Sequence, residues 1–295
     1  MYKSFEVIDQ FIREISGLSI IEEPMPLKFK EVIELENAYE AIQRINKGKR
    51  KPFSHEFIRD VYPFLEVSVQ WQMLKKSQSL TQEFMGKCKT RVVRTQDNYY
   101  GTIFEIDMAT RCLLSNWEPD FVEDYTVPEK QIDFVFNREK DIVGVECLSK
   151  RYSENSLTID RLNKDVSDKG KKFKPEYIKK LGVRLDKRIL IIDITTSSYS
   201  VPGILKDLEK TELSPYLDAV IYTWREDIID NENHSLRVKY STYGDIEDKY
   251  FSTTFASEFH VHNGEPVFFV RKYTEPEPTF SFGPEESIND NSEGS

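Results

Sequence analysis

Apolar positions recur three and four residues apart through the first third of the chain. Phe5, Ile8, Ile12 and Ile15 share one helical face, and Ile33, Ala38, Ile42 and Ile45 repeat the spacing more loosely. Gly48 and Pro52 mark a loop. Ser54 then reads as the N-cap of a long helix through Phe57, Val61, Leu65, Val69 and Leu74, with Pro63 as a potential kink. Residues 1–95 are therefore expected to form a helical N-terminal region, a subdomain or lid with no chemical motif of its own.

The period changes near residue 100. Gly101–Asn116 reads as an amphipathic helix, and Asp120–Val127, Gln131–Phe136 and Ile142–Leu148 as short strands. A long basic helical stretch is expected from about Leu157 to Leu181. Arg188–Ile194 is a continuous apolar run of the kind found in buried strands. Pro202–Lys210 reads as a helix with Pro near its start, and Asp218–Trp224 as a second buried strand. Helix, three strands, helix, strand, helix and strand is an α/β order, with a central mixed sheet flanked by helices. Leu236–Tyr240, Tyr250–Thr254 and Pro266–Arg271 are expected as further short strands, so the α/β domain is placed at residues 96–273. No internal repeat is evident.

Composition supports a folded core. Of 295 residues, 39% are apolar and 13% aromatic, which excludes global disorder. No stretch approaches the ~18–20 apolar residues of a membrane span. The charged, amphipathic start argues against a secretory signal, and the three scattered cysteines point to a reducing, cytoplasmic compartment. A net charge of −10 argues at first sight against a nucleic-acid partner. Its distribution says otherwise. Residues 274–295 hold six acids and no base among Pro, Ser, Gly and Asn, and read as a disordered acidic tail. Arg161–Arg188 holds eleven bases against four acids, a local charge of +7. Smaller basic runs are Lys47–Lys51 and the set Lys87, Lys89, Arg91 and Arg94. Local basic surface steers a polyanion whatever the total charge. Solvated helix faces and loops are the alternative reading of each run.

The acids between residues 105 and 146 carry the candidate chemistry. If Gln131–Phe136 and Ile142–Leu148 form a hairpin centred near Glu139, Asp133 lies opposite Glu146. Directly opposed side chains stand ~4.5–5.5 Å apart at Cβ. Two buried carboxylates at that distance repel and lose solvation unless a cation lies between them, and Mg²⁺ prefers such hard oxygen ligands. Alternatively, both acids face solvent on an amphipathic hairpin. Glu105 shares its helix face with Met108, Ala109 and Cys112, so it is expected to face the sheet, whereas Asp107 is expected to face solvent. Glu105 could share the cation or form a buried ion pair with Arg111 or Arg151.

The stretch from Gly101 to Arg151 resembles the PD-(D/E)XK, or restriction-endonuclease-like, superfamily. The carriers are Glu105 in FEIDMAT, Asp133 in QIDFVF and Glu146 in VGVECLSK, followed by a basic helix and a buried strand. The resemblance covers about residues 100–225. It implies a restriction-endonuclease-like fold and a metal-dependent nuclease acting on nucleic acid, DNA by default, in a restriction, defence or mobile-element setting. It also implies that Asp133, Glu146 and the Cys147 carbonyl hold Mg²⁺ or Mn²⁺, with Glu105 assisting. The family Lys position is occupied by Leu148. Lys150, two residues later, is the replacement the resemblance suggests, and Lys164 or Lys172 from the next helix are others. Lys164, Lys169, Lys171, Lys172 and Lys174 are expected to contact phosphates. A non-cutting relative that keeps the fold as a nucleic-acid-binding or scaffolding module is the alternative reading, and in either case a homodimer or a larger complex is an expected setting.

Other features weigh less. His260 and His262, in phase with Glu258, could ligate a transition metal but read more simply as a solvated edge strand. Cys147 reads as a packed thiol, and Trp71, Trp117 and Trp224 as core or boundary residues. Neither a Walker-type loop, nor a Cys-x-x-Cys pair, nor a Gly-x-Ser-x-Gly elbow is present.

Overall fold

The computed structural model describes residues 3–48, 60–77, 79–122, 131–138, 140–149, 156–196, 202–230, 233–245, 257–262 and 265–270. The spaced isoleucines of the N-terminus build α1 (Lys3–Ser16), whose Phe5, Ile8, Phe11, Ile12 and Ile15 are fully buried. The helices α2 (Ile33–Asn46), α3 (Tyr62–Lys76) and α4 (Gln82–Arg91) follow. Pro63 lies in the first turn of α3, where its fixed φ suits a helix start, so it does not kink the helix. The expected start at Ser54 falls outside the described residues. Helix α5 (Gln96–Leu114) begins earlier than its apolar pattern suggests, because Thr95 caps it by accepting a hydrogen bond from the Asn98 amide.

Six strands form one mixed open sheet in the order β1-β2-β3-β4-β5-β6. They are β1 (Pro119–Phe121), β2 (Phe134–Arg138), β3 (Asp141–Ser149), β4 (Lys187–Asp193), β5 (Ala219–Asp230) and β6 (Asn233–Gly244). β1, β2 and β3 are an antiparallel meander, β3, β4 and β5 run parallel, and β6 returns antiparallel. The expected α/β architecture of a mixed sheet with helices is thus observed. A separate hairpin joins β7 (Ser257–His262) to β8 (Glu265–Val270). It contains the backbone of the His260–His262 pair, while the Tyr250–Thr254 segment and the acidic tail lie outside the described residues.

Side-chain alternation gives the sheet two apolar faces. Phe134, Phe136, Val143, Val145, Cys147, Ile189, Ile191 and Ile221 pack with apolar residues of α1 to α5 in one continuous core. Trp71 and Trp117 belong to this core. Val135, Leu148, Leu190, Ile192, Val220, Tyr222 and Trp224 form the second core. Ile132, which precedes β2, also joins this second core. The helical region and one sheet face therefore share a single core.

The basic stretch is not one helix. It breaks into α6 (Ile159–Gly170), a 3₁₀ turn (Lys171–Phe173) and α7 (Pro175–Lys180). Leu162, Val166 and Phe173 anchor it to the second core. At Gly170 the chain passes so close to Ser214 that a Cβ would collide with its side chain and crowd Leu217. Gly170→Ala is expected to cost about 1–3 kcal/mol through overpacking, read as a lowered urea midpoint. A wild-type midpoint would mean that the approach is not tight. Pro202–Lys210 likewise proves to be a 3₁₀ helix over Gly203–Lys210.

Candidate functional site

The β2–β3 register is set by Phe134↔Val145 through Arg138↔Asp141. Asp133 lies just before β2, and its amide donates to the Val145 carbonyl at 3.1 Å. The hairpin arithmetic rightly brings Asp133 beside Glu146, although Asp133 itself precedes the paired residues. Asp133 and Glu146 are 4% and 0% exposed, so the solvent-facing alternative does not apply.

Lysines neutralise these acids. Lys169 at the end of α6 donates to Glu146 Oε1 at 2.5 Å, and Lys172 in the 3₁₀ turn donates to Oε2 at 2.8 Å. Lys172 also lies 3.9 Å from Asp133 Oδ1, so one ammonium serves both carboxylates. Asp133 Oδ2 accepts the Cys147 amide at 2.7 Å. Three residues apart, the two lysines reach the same carboxylate from one side of the segment. Of the other lysines expected on phosphates, Lys171 pairs with Asp168 at 2.7 Å, Lys174 lies 3.8 Å from Glu176 and above the Tyr216 ring, and Lys164 is exposed. Lys150 lies outside the described residues.

Glu105 is buried on the sheet-facing side of α5, as its spacing implies. Its partner is one the sequence did not suggest. Lys87 on α4 donates to Glu105 Oε2 at 2.5 Å and lies 3.8 Å from Asp133 Oδ1. Lys87 belongs in sequence to a basic run, yet its side chain is 1% exposed. The N-cap of α4, where Thr81 accepts from the Phe84 amide, sets its helical phase. Three carboxylates and three lysines therefore form one charge-balanced cluster.

Asp107 corrects the sequence reading. It is 3% exposed rather than solvent-facing. Gln70 donates to its Oδ1 at 2.5 Å, Arg111 Nε to the same oxygen at 3.0 Å, and Arg225 to Oδ2 at 3.1 Å. Arg225 also holds Glu66 at 2.6 Å. This second network ties α3 and α5 to β5 and floors a cavity of about 270 Å³. Tyr99, Tyr100, Glu34 and Asp193 are among the residues lining it, beside the ends of β3 and β4.

Electrostatics divide the opposed pair. Burial, and then Asp133, hold the Glu146 carboxyl above the usual glutamate range. At Asp133 burial pulls the same way, but Lys172, Lys87 and Lys169 overcome it and hold the carboxyl below its usual range. Burial and the three surrounding acids push the Cys147 thiol well above its ordinary value, so it is a packed, inert thiol.

These shifts set a pH profile. Asp133 is depressed, as is Asp107, where Arg111 and Arg225 overcome burial. A carboxyl with a depressed folded pKa adds stability above its unfolded value and loses it as pH falls through the folded one. Stability is expected to hold down to about pH 4 and fall steeply below. Lys169, though burial opposes its charge, is raised by Glu146 above 10.5. Its contribution is present below that value and lost as pH climbs past it, so a second decline is expected above about pH 10.5. Urea midpoints from about pH 3 to pH 11 check both limbs, and a flat acid limb would contradict the depressed aspartates.

The resemblance implies Mg²⁺, and the donors fit it at two positions. Asp133 and Glu146 are hard carboxylates already converging on one cation, and Mg²⁺ is commonly held by one or two carboxylates with water completing the shell. Glu105 turns to Lys87 instead. Among the described residues no group of three or more His, Cys, Asp and Glu is arranged to hold a metal ion. None of the described helices is long and apolar enough to cross a membrane. In comparisons with known proteins, the chain matches no family model, no curated protein and no solved structure.

Proposed function

We propose that the Asp133–Glu146 cluster is the hydrolytic site of a metal-dependent nuclease, with DNA as the default substrate. The observation that carries this reading is the buried opposition of Asp133 and Glu146 around a shared ammonium, on the strand positions where the PD-(D/E)XK resemblance expects a cation. Two buried acids facing each other are unfavourable for folding alone, and such arrangements concentrate at functional sites. The lysines of the +7 segment stand at the same place and supply the affinity for phosphate.

Each residue has a role within this reading. Asp133 and Glu146 would hold Mg²⁺ or Mn²⁺. When bound, the metal lowers the pKa of a water and offsets charge developing on the phosphoryl oxygens. Asp133 is fixed by the Cys147 amide and presents Oδ1 to the shared cation position. Glu146, whose carboxyl is held above its usual range, can accept the proton of the attacking water. The family lysine position holds Leu148, and Lys172 reaches the same acids from the 3₁₀ turn as their counterion in the free protein. Lys87 positions Glu105 and screens Asp133.

The second reading, a nucleic-acid-binding relative that does not cut, is favoured by the completeness of lysine pairing around the three acids. A substrate panel separates the two. The full chain is incubated with supercoiled plasmid, single-stranded DNA and RNA, with Mg²⁺ or Mn²⁺, and then with EDTA. The nuclease reading expects metal-dependent nicking that EDTA stops. Binding that weakens with salt but leaves every substrate intact would establish the second reading instead.

A further inference from the structure

Lys169 and Lys172 differ from Lys87 in one respect. Lys87 is enclosed, with 1% of its side chain exposed, whereas Lys169 and Lys172 keep 29% and 18% exposed while their ammonium groups reach the buried Glu146. They are the inner end of a segment whose remaining bases line the surface, with Lys164, Lys179 and Lys180 exposed. Both hold carboxylate oxygens that a divalent cation would need, since Lys169 takes Oε1 and Lys172 takes Oε2 of Glu146.

We infer that Lys169 and Lys172 are exchangeable counterions: they neutralise Glu146 and Asp133 in the free protein and pass to the phosphates of a bound polyanion. This rests on the nuclease reading of the same site. In the free protein an ammonium pair competes with any divalent cation for Glu146. Phosphates offer the lysines equivalent charge-assisted partners in a more solvated position. Once the lysines leave, two buried carboxylates face each other uncompensated, and a divalent cation relieves that repulsion. Cation and polyanion therefore bind cooperatively, each raising the affinity of the other by the same factor. The acids are kept neutral until substrate arrives, so the site charges itself only in its presence.

The test is Mn²⁺ affinity of the full chain, read from the free-ion paramagnetic resonance signal. It is measured alone and with a saturating phosphorothioate-backbone duplex, which keeps its charge and resists cleavage. Uptake by the duplex alone is subtracted. The duplex is expected to tighten Mn²⁺ binding at least about tenfold, within the usual range of coupling between sites. K169Q/K172Q is expected to bind Mn²⁺ tightly without duplex, with less than about a twofold further gain on adding it. Should that double variant fail to fold, K169Q alone is expected to show an intermediate affinity. Equal Mn²⁺ affinity with and without duplex, unmoved by K169Q but abolished by D133N, would overturn the exchange and leave the nuclease reading intact. Absence of Mn²⁺ uptake sensitive to D133N in any arm would overturn both.

Discussion

Lys87→Met is expected to lower the unfolding free energy by about 3–5 kcal/mol, the usual cost of stranding one partner of a buried ion pair. The Lys87 and Glu105 side chains are 1% and 7% exposed, with the ammonium 2.5 Å from the carboxylate. Met preserves the length and apolar stem of the side chain, so the loss isolates charge rather than volume. Without the ammonium, Glu105 has lost its close cation in the interior, and Asp133 loses one that lay 3.8 Å away. Two controls sharpen the result. Lys89→Met, at an exposed position of the same helix, is expected to change stability by no more than about 0.5 kcal/mol. The double variant Lys87→Met, Glu105→Gln is expected to recover much of the loss, because removing both charges leaves neither stranded. Urea denaturation of the four proteins checks this. Equal effects of Lys87→Met and Lys89→Met would show that Lys87 is not enclosed.

Glu146→Gln should separate activity from stability. Under the nuclease reading the carboxylate holds the cation and accepts a proton, contributions of several kcal/mol to the transition state. At one decade per ~1.4 kcal/mol this corresponds to a rate loss of roughly a thousandfold. Stability is expected to move the other way. Burial and Asp133 both disfavour the charge on Glu146, and Gln keeps the shape without the charge. Lys169 and Lys172, partly exposed, can turn to solvent once their partner is neutral. The thermal midpoint of Glu146→Gln is thus expected to equal or exceed that of the wild type, the pattern of a residue retained for function against stability. A variant that is both inactive and unfolded would make Glu146 structural.

What the sequence revealed followed local rules. Period-2 alternation and a short polar connection brought Asp133 beside Glu146, because hairpin partners have a constant sum and Asp133 directly precedes the paired Phe134. Helical spacing put Glu105 on the inner face of α5. The order of helices and strands anticipated a mixed sheet. What escaped depends on contacts between distant segments. Lys87 looks like surface in a run of bases, and only the packing of α4 beside α5 reveals that it is buried. Asp107 looks solvent-facing on its helix, because its partners Gln70 and Arg225 lie 37 and 118 residues away. At Gly170 the approach of Ser214 leaves no room for a Cβ, a constraint no local pattern encodes. Lys169 and Lys172 reach Glu146, which lies 23 and 26 residues away along the chain. Their inward turn was legible only as a general possibility, in the suggestion that Lys172 could stand in for the family lysine.

The net charge of −10 consequently says little about the partner. Part of it lies in the terminal acidic segment, and three further acids are neutralised by lysines inside the fold. The site's charge balance is local, and two of its three lysines, Lys169 and Lys172, come from the segment expected to meet phosphate.

The most direct test is a plasmid-nicking time course in Mg²⁺ with the wild-type chain and Glu146→Gln, both verified as folded by circular dichroism. The expected result is conversion of supercoiled to open-circular DNA by the wild type, arrested by EDTA, and no detectable conversion by the folded variant over the same period. Equal nicking by both proteins, or none by the folded wild type on any substrate or with either metal, would contradict the assignment of Asp133 and Glu146 as a hydrolytic pair.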